Sequence, residues 1–273
     1  EIVSAERIRA ELERLLLSPY PRRGLELLVH TGICDIVLPE VSALQDTVDE
    51  HRRHKDVYEH TLTVLQQAMD LETGPDGDVP GPDLRLRLAA LMHDIGKPAT
   101  RRFMPDGTVT FHAHDYVGAR MTAKRMRALH FDKQTIKDVS RLVELHLRFH
   151  GYADSPWSDS AVRRYVTDAG PLLARLGCLT RADVTTGNRR KAAMLSHAYD
   201  DLERRIEALR QQEELASIRP ELDGQEIMAE LGIKPGPEVG KAYKFLLDLR
   251  MERGPIGKEL AREALHSWWA TQQ

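Results

Sequence analysis

At 273 residues, with 41% hydrophobic and 30% charged positions, the chain can bury a real core and has the length of one or two domains. Its net charge of -3 supplies no global attraction to nucleic acid, leaving only local basic faces for that purpose. Two cysteines, Cys34 and Cys178, exclude a disulfide framework or a zinc knuckle, and no apolar run approaches the ~18 residues of a spanning helix, so the expected setting is cytoplasmic, with no membrane partner.

Aromatic residues make up only 5%, while Leu, Ala, Arg and Glu abound, a composition that favours helix. The first predicted helix covers 4–17, with Ser4 as its cap and Ile8, Leu12, Leu15 and Leu16 as its apolar stripe. Ser18-Pro19-Tyr20-Pro21 breaks it. A second helix follows over about 23–31, stopped by Gly32. A short element at 33–38 and a turn at Pro39-Glu40 lead to a polar connection over 45–55. The pattern from 56 to 71 is helical, with His60 and Val64 on the inward face.

Three Pro and three Gly make 73–83 a loop, so Asp76-Gly77-Asp78 reads as a turn rather than a polymerase carboxylate pair, because no strand supports it. A helix over 84–95 runs through five apolar residues into His93-Asp94-Ile95-Gly96-Lys97-Pro98. Pro105-Asp106-Gly107-Thr108 marks the turn of a short hairpin between Arg101 and Phe111. Helices are expected over 115–129 and 133–149, the second with His146 near its end. A further helix is capped by Ser158 or Asp159, and another runs from Pro171 to Ala182 with Asp183 at its end. Helices over 191–214, 223–231, 238–252 and 259–271 complete an all-α chain. Three parts are expected: a helical neck at 1–40, a helical domain at 41–210 and a helical tail at 211–273. The start at Glu1 rather than Met suggests a piece of a longer protein.

His93-Asp94 is the informative pair. Burying an unpartnered ionisable group is costly, so a His and an Asp at the end of an apolar helix imply partners. The candidates are His60, His114, His146 and Asp183. Imidazole nitrogens and carboxylate oxygens are ligands for a divalent metal, and adjacent ligands at one helix end can bridge two ions.

The order His60, His93-Asp94, Asp183 resembles the H…HD…D pattern of the HD superfamily of metal-dependent phosphohydrolases, and Leu91-Met-His-Asp-Ile-Gly-Lys-Pro98 looks like its central motif. The resemblance implies an all-α domain holding one or two divalent ions (Mg, Mn, Ni or Fe) that activate water against a phosphoester. It implies His60, His93, Asp94 and Asp183 as ligands, with His114 and His146 holding a second ion. Of the pair His112 and His114, the latter is the better ligand. Asp94 belongs to the chemistry as well as to the metal, and Lys97 is placed to meet a phosphate oxygen. The flanks, Ser4-Ala-Glu-Arg7, Gly24-Leu25…Leu38-Pro-Glu40 and Gly224-Gln-Glu-Ile…Pro235-Gly-Pro237, look like the neck and tail of bacterial CCA-adding tRNA nucleotidyltransferases and poly(A) polymerases. That implies tRNA as partner, nucleotide or RNA phosphoesters as substrate, and a main reaction of nucleotide addition in a head that this chain lacks. No residue before 56 offers the phosphate-binding turn or the Asp pair such a head needs. Arg101-Arg102, Arg163-Arg164 and Arg189-Arg190-Lys191 are the candidate RNA contacts, since phosphate attraction needs clustered cations. Trp268-Trp269 could stack bases or pack a terminal helix. Two rival readings are a tRNA-binding module with a vestigial metal site and a free-standing HD nucleotidase.

Overall fold

The computed structural model describes residues 3–45, 47, 57–149, 151–152, 155, 157–213 and 218–272, and the statements below concern those residues. The expected connection over 45–55 lies almost wholly outside them. The fold is all-α, interrupted by one two-stranded hairpin. It divides into two compact units, Glu1–His150 with Pro171–Ser196, and Gly151–Gly170 with His197–Gln273.

The first unit opens with α1 (Ala5–Leu17), capped as expected by the Ser4 hydroxyl, which accepts from the Arg7 amide at 3.4 Å. α2 (Pro21–His30), α3 (Ile33–Val37) and α4 (Pro39–Ser42) follow, with Gly32 between α2 and α3 at φ 73°, a left-handed conformation that glycine adopts without steric cost. α5 (Val57–Asp70) carries His60. α6 (Leu84–Met92), capped by Asp83, is buried at every residue from Leu86 to Met92. A helix buried on all sides belongs at the centre of its unit, and α6 packs against α1, α5 and two later helices, Lys133–Leu145 and Leu173–Ala182. His93 and Asp94 therefore emerge at the middle of the unit rather than at its surface.

Arg87 is the one charged residue in that buried run. Its guanidinium donates to both oxygens of Glu72, at 2.7 and 2.6 Å, and to the Leu16 and Ser18 carbonyls at the end of α1, at 2.6 and 3.0 Å. Those carbonyls have no partner within their own helix. The buried ion pair thus fastens the neck helix to the central one.

After α7 (Lys97–Thr100), strands β1 (Arg102–Phe103) and β2 (Val109–Thr110) pair antiparallel, Arg102 opposite Thr110 and Phe103 opposite Val109, around the expected turn. α8 (His114–Ala128) and α9 (Lys133–Leu145) pack together, and α11 (Leu173–Ala182) ends at Asp183. α9 stops at Leu145, so His146 caps it instead of lying inside it.

The second unit contains α10 (Asp159–Ala169), capped by Ser158, and the part of α12 (Arg189–Glu213) beyond Ser196. α13 (Gly224–Leu231) begins with a full capping box between Asp223 and Glu226, and α14 (Pro237–Arg253) and α15 (Lys258–Ala270) follow. Leu222, Ile227, Ala242, Leu246, Ala261 and Leu265 form a core here. Trp268 stacks on Phe245 with ring centroids 4.9 Å apart, so it packs its helix rather than standing free for a base.

Candidate metal centre

Six side chains from five stretches of the first unit converge. His60 comes from the interior of α5, His93 and Asp94 from the end of α6, and His114 from the first turn of α8. His146 comes from the end of α9 and Asp183 from the end of α11. They form two groups whose potential ligand atoms lie within 4.8 Å of one another: His60, His93 and Asp183, and Asp94, His114 and His146. Asp94 faces both groups. Its Oδ2 is 3.2 Å from His93 Nε2 and 3.5 Å from His60 Nε2, while its Oδ1 is 3.3 Å from His114 Nε2. Asp183 Oδ1 is 3.0 Å from His60 Nε2 and 3.5 Å from His93 Nε2.

Local structure explains how the rings are aimed. The Nδ1–H of His93 donates to the Ala90 carbonyl at 2.9 Å, that of His114 to Phe111 at 2.8 Å and that of His146 to Val143 at 2.6 Å. Each reaches back three residues. For His93 and His146 the acceptor belongs to the last turn of the preceding helix, where carbonyls lack a partner in the helix ladder. Each such ring caps its own helix through Nδ1 and turns Nε2 toward the centre, the tautomer a metal ligand needs. His60 lies inside a helix whose carbonyls are engaged; its Nδ1 meets the Thr185 hydroxyl at 3.0 Å instead.

Gly96 completes the geometry. A Cβ there would stand 2.1 Å from the His114 carbonyl oxygen and 2.7 Å from the Gly118 amide, so the turn after Asp94 can press against α8 only as glycine. Ala113, at φ 60°, takes up the left-handed conformation just before His114.

Burial would by itself raise the Asp94 carboxyl and lower the His93 imidazole, but their mutual attraction prevails. Asp94 is held well below the usual carboxylate range by His93, Lys97 and His114, and His93 is pushed up to about 10 by Asp94 and Asp183. Asp183 is likewise held well below its ordinary value by His60 and His93, against the effect of burial. His146 behaves oppositely: burial, then the neighbouring charge of His93, bring it down to about 4. In the first group each imidazole has a carboxylate oxygen within 3.2 Å. Among the described residues, His146 Nε2 and His114 Nε2 are buried with no hydrogen-bond partner, as is Asp94 Oδ2. Leaving such an atom unpaired costs about 1–3 kcal/mol. A cation beside Asp94 would satisfy both nitrogens, so this donor set of imidazoles and carboxylates fits a divalent metal.

The fold brings all six sequence candidates together. It keeps Lys97 with them, Nζ 2.8 Å from Asp94 Oδ2, and leaves His112 exposed. Arg101, Arg102, Arg189, Arg190 and Lys191 are exposed, and the Asn188 side chain accepts from the Arg190 and Lys191 amides at 3.0 and 3.2 Å. Arg163 corrects the sequence reading. It is 5% exposed, and its guanidinium donates to the Met251 carbonyl at 3.0 Å, so it is spent on the end of α14 and not available to phosphate. Arg164, one residue on, is exposed and pairs with Glu252 at 3.3 Å. Sequence reasoning missed Thr185 and Gly96. The glycine was visible in His-Asp-Ile-Gly, but the close approach of α8 that requires it was not.

Comparison with known proteins agrees with this geometry. Residues 57–188 match the family described as "HD domain", and residues 1–44 match "Probable RNA and SrmB- binding site of polymerase A". The chain therefore carries a segment similar to HD domains and, before it, a segment similar to the RNA-binding region of polymerase A. It is 37% identical to the CC-adding tRNA nucleotidyltransferase of Thermus thermophilus over 96% of this chain and 56% of that protein. It is 35% identical to the A-adding tRNA nucleotidyltransferase of Deinococcus radiodurans over 98% of this chain and 59% of that protein. A multifunctional CCA protein of Pasteurella multocida is 31% identical over 54% of the chain. The chain thus spans a little over half the length of the first two relatives. No helix among the described residues is long and apolar enough to cross a membrane.

Proposed function

We propose that the centre is a two-metal phosphohydrolase site, acting on phosphomonoesters or 2′,3′-cyclic phosphodiesters at nucleotide or RNA ends, within a protein that processes tRNA 3′ ends. The observation that carries this reading is Asp94, whose two oxygens face two different sets of imidazoles while His146 Nε2 lacks any other partner. His60, His93 and Asp183 would hold one ion, His114 and His146 the other, with Asp94 between them. Bound divalent ions supply Lewis acidity and lower the pKa of water. The chain's own contribution is to orient the ligands through the Nδ1 bonds, and to offer the Lys97 ammonium to a phosphate oxygen. Water adds at phosphorus, the bond to the ribose 2′ or 3′ oxygen breaks, and that oxygen takes up a proton.

The names of the relatives support tRNA as the partner and nucleotide addition as the activity of a longer protein. Exposed Arg101, Arg102, Arg189, Arg190 and Lys191 are the cations proposed to meet its phosphates. The test is turnover of bis-p-nitrophenyl phosphate and 2′,3′-cyclic AMP by the purified chain with Mn²⁺, Ni²⁺ or Mg²⁺. Metal-dependent hydrolysis that Asp94→Ala abolishes is expected; turnover no higher than that variant's overturns the reading.

The match of residues 1–44 to an RNA-binding family favours a second reading, a tRNA-gripping module whose metal centre is vestigial. That reading expects tRNA affinity that falls steeply with salt and is indifferent to His93→Ala. No measurable tRNA binding at low salt excludes it.

A further inference from the structure

The centre reaches solvent through few groups. The side chains of His60, Lys97, Asp183 and His114 are 16%, 13%, 11% and 10% exposed, against 2% for Asp94 and 1% for His93. Two of those four, Lys97 and His114, bracket the segment that carries the β1–β2 hairpin. Both ends of the segment are fixed at the centre: Lys97 lies beside Asp94 and over the Phe111 ring, 5.7 Å from its centroid, and His114 lies beside Asp94 from the other side. Phe103 pairs with Val109, two residues before Phe111, which keeps the Phe103 backbone within about 13 Å of Phe111.

Phe103 is nevertheless 74% exposed and its neighbour Met104 44%. The hairpin thus sets two adjacent apolar side chains in water next to the centre's anchored segment. The Arg101 guanidinium lies over this ring, 5.5 Å from the centroid, and Arg102 adds a second exposed cation. An aromatic face backed by arginine is the chemistry that stacks a nucleobase while attracting its phosphate, and it is tolerant of base identity because every base has a π face.

We infer that Phe103, with Arg101 stacked on it, is a nucleobase platform at the rim of the metal centre, which favours base-bearing phosphoesters over esters that lack a base. This rests on the hydrolase reading for its substrate. The platform itself is testable separately.

The full chain loaded with Mn²⁺ is assayed on adenosine 2′,3′-cyclic phosphate and on glycerol 1,2-cyclic phosphate, which carries the same reacting ring without a base. Phe103→Ala should lower the ratio of kcat/KM for the nucleoside over the glycerol ester about tenfold, chiefly through KM, and Phe103→Trp should restore it. In parallel, Phe103→Trp places an indole at the rim. Its added emission relative to the parent chain should be quenched by adenosine monophosphate and not by glycerol phosphate. An unchanged ratio together with no selective quenching overturns the platform. If the parent chain hydrolyses neither ester, the hydrolase reading fails and the quenching experiment alone decides whether Phe103 stacks a base.

Discussion

The two ligand groups differ in how they manage without metal. In the first, His60 and His93 lie between the carboxylates of Asp94 and Asp183, and each imidazole has a carboxylate oxygen within 3.2 Å. In the second, Asp94 faces His114 while His146, fully buried, offers a nitrogen that no group among the described residues meets. One group gives each imidazole a carboxylate neighbour, and the other leaves an imidazole unmet. The second is therefore the sharper sign of a metal, although its histidines are the ones outside the four-residue H…HD…D pattern.

Asp94 joins the groups, so Asp94→Ala breaks the comparison outright. Hydrolysis should fall by roughly 1,000-fold or more, consistent with losing several kcal/mol of metal-derived stabilisation, and elemental analysis should find both ions depleted. His146→Leu separates the groups. Bound metal should drop from two ions to one, while the chelated protein should become more stable by about 1 kcal/mol in urea, because an unpaired buried nitrogen is removed. Retention of two ions, or a loss of stability in chelator, would contradict the contrast. Thr185→Val acts on the first group alone, where it frees the His60 ring to turn. Affinity for the first ion should weaken by about 10-fold, with the second ion's affinity unchanged, as read by metal titration.

The smallest effect is on pH dependence of the chelated protein. His93 is raised to about 10, so the stability it contributes is complete below its ordinary value near 6.5 and is lost as pH rises through 10. His146 is lowered to about 4, so its contribution is complete above 6.5 and is lost as pH falls through 4. The depressed carboxyls of Asp94 and Asp183 add to the loss at acid pH. The Tm in chelator should therefore peak near pH 6.5, and His146→Leu should flatten the acid limb only.

Much of this was legible in the sequence because the signals are local. Ser4 and Ser158 announce helix starts, and the Pro-Asp-Gly-Thr turn announces the hairpin. The six ligand candidates stood out as polar groups on apolar helices. The rest depends on which surfaces meet. Arg163 and Arg164 read as one basic cluster, but successive helix residues point about 100° apart, which turns Arg163 inward beside Val162 and Val166 and Arg164 outward. Thr185 acquires its meaning only when the turn after Asp183 meets α5, 125 positions earlier in the chain.

The Arg87 bridge has a practical consequence for dissecting this molecule. A fragment trimmed to begin after the neck would keep Arg87 and Glu72 but lose the two carbonyls of Leu16 and Ser18 that complete the cation's shell. It would also strip the cover from α6, the helix that delivers His93 and Asp94. The RNA-binding neck and the metal domain are separate in family vocabulary but share one buried charge. A truncation meant to isolate the proposed metal centre would therefore unsettle the helix that carries His93 and Asp94, and silence of such a fragment would say nothing about the centre itself.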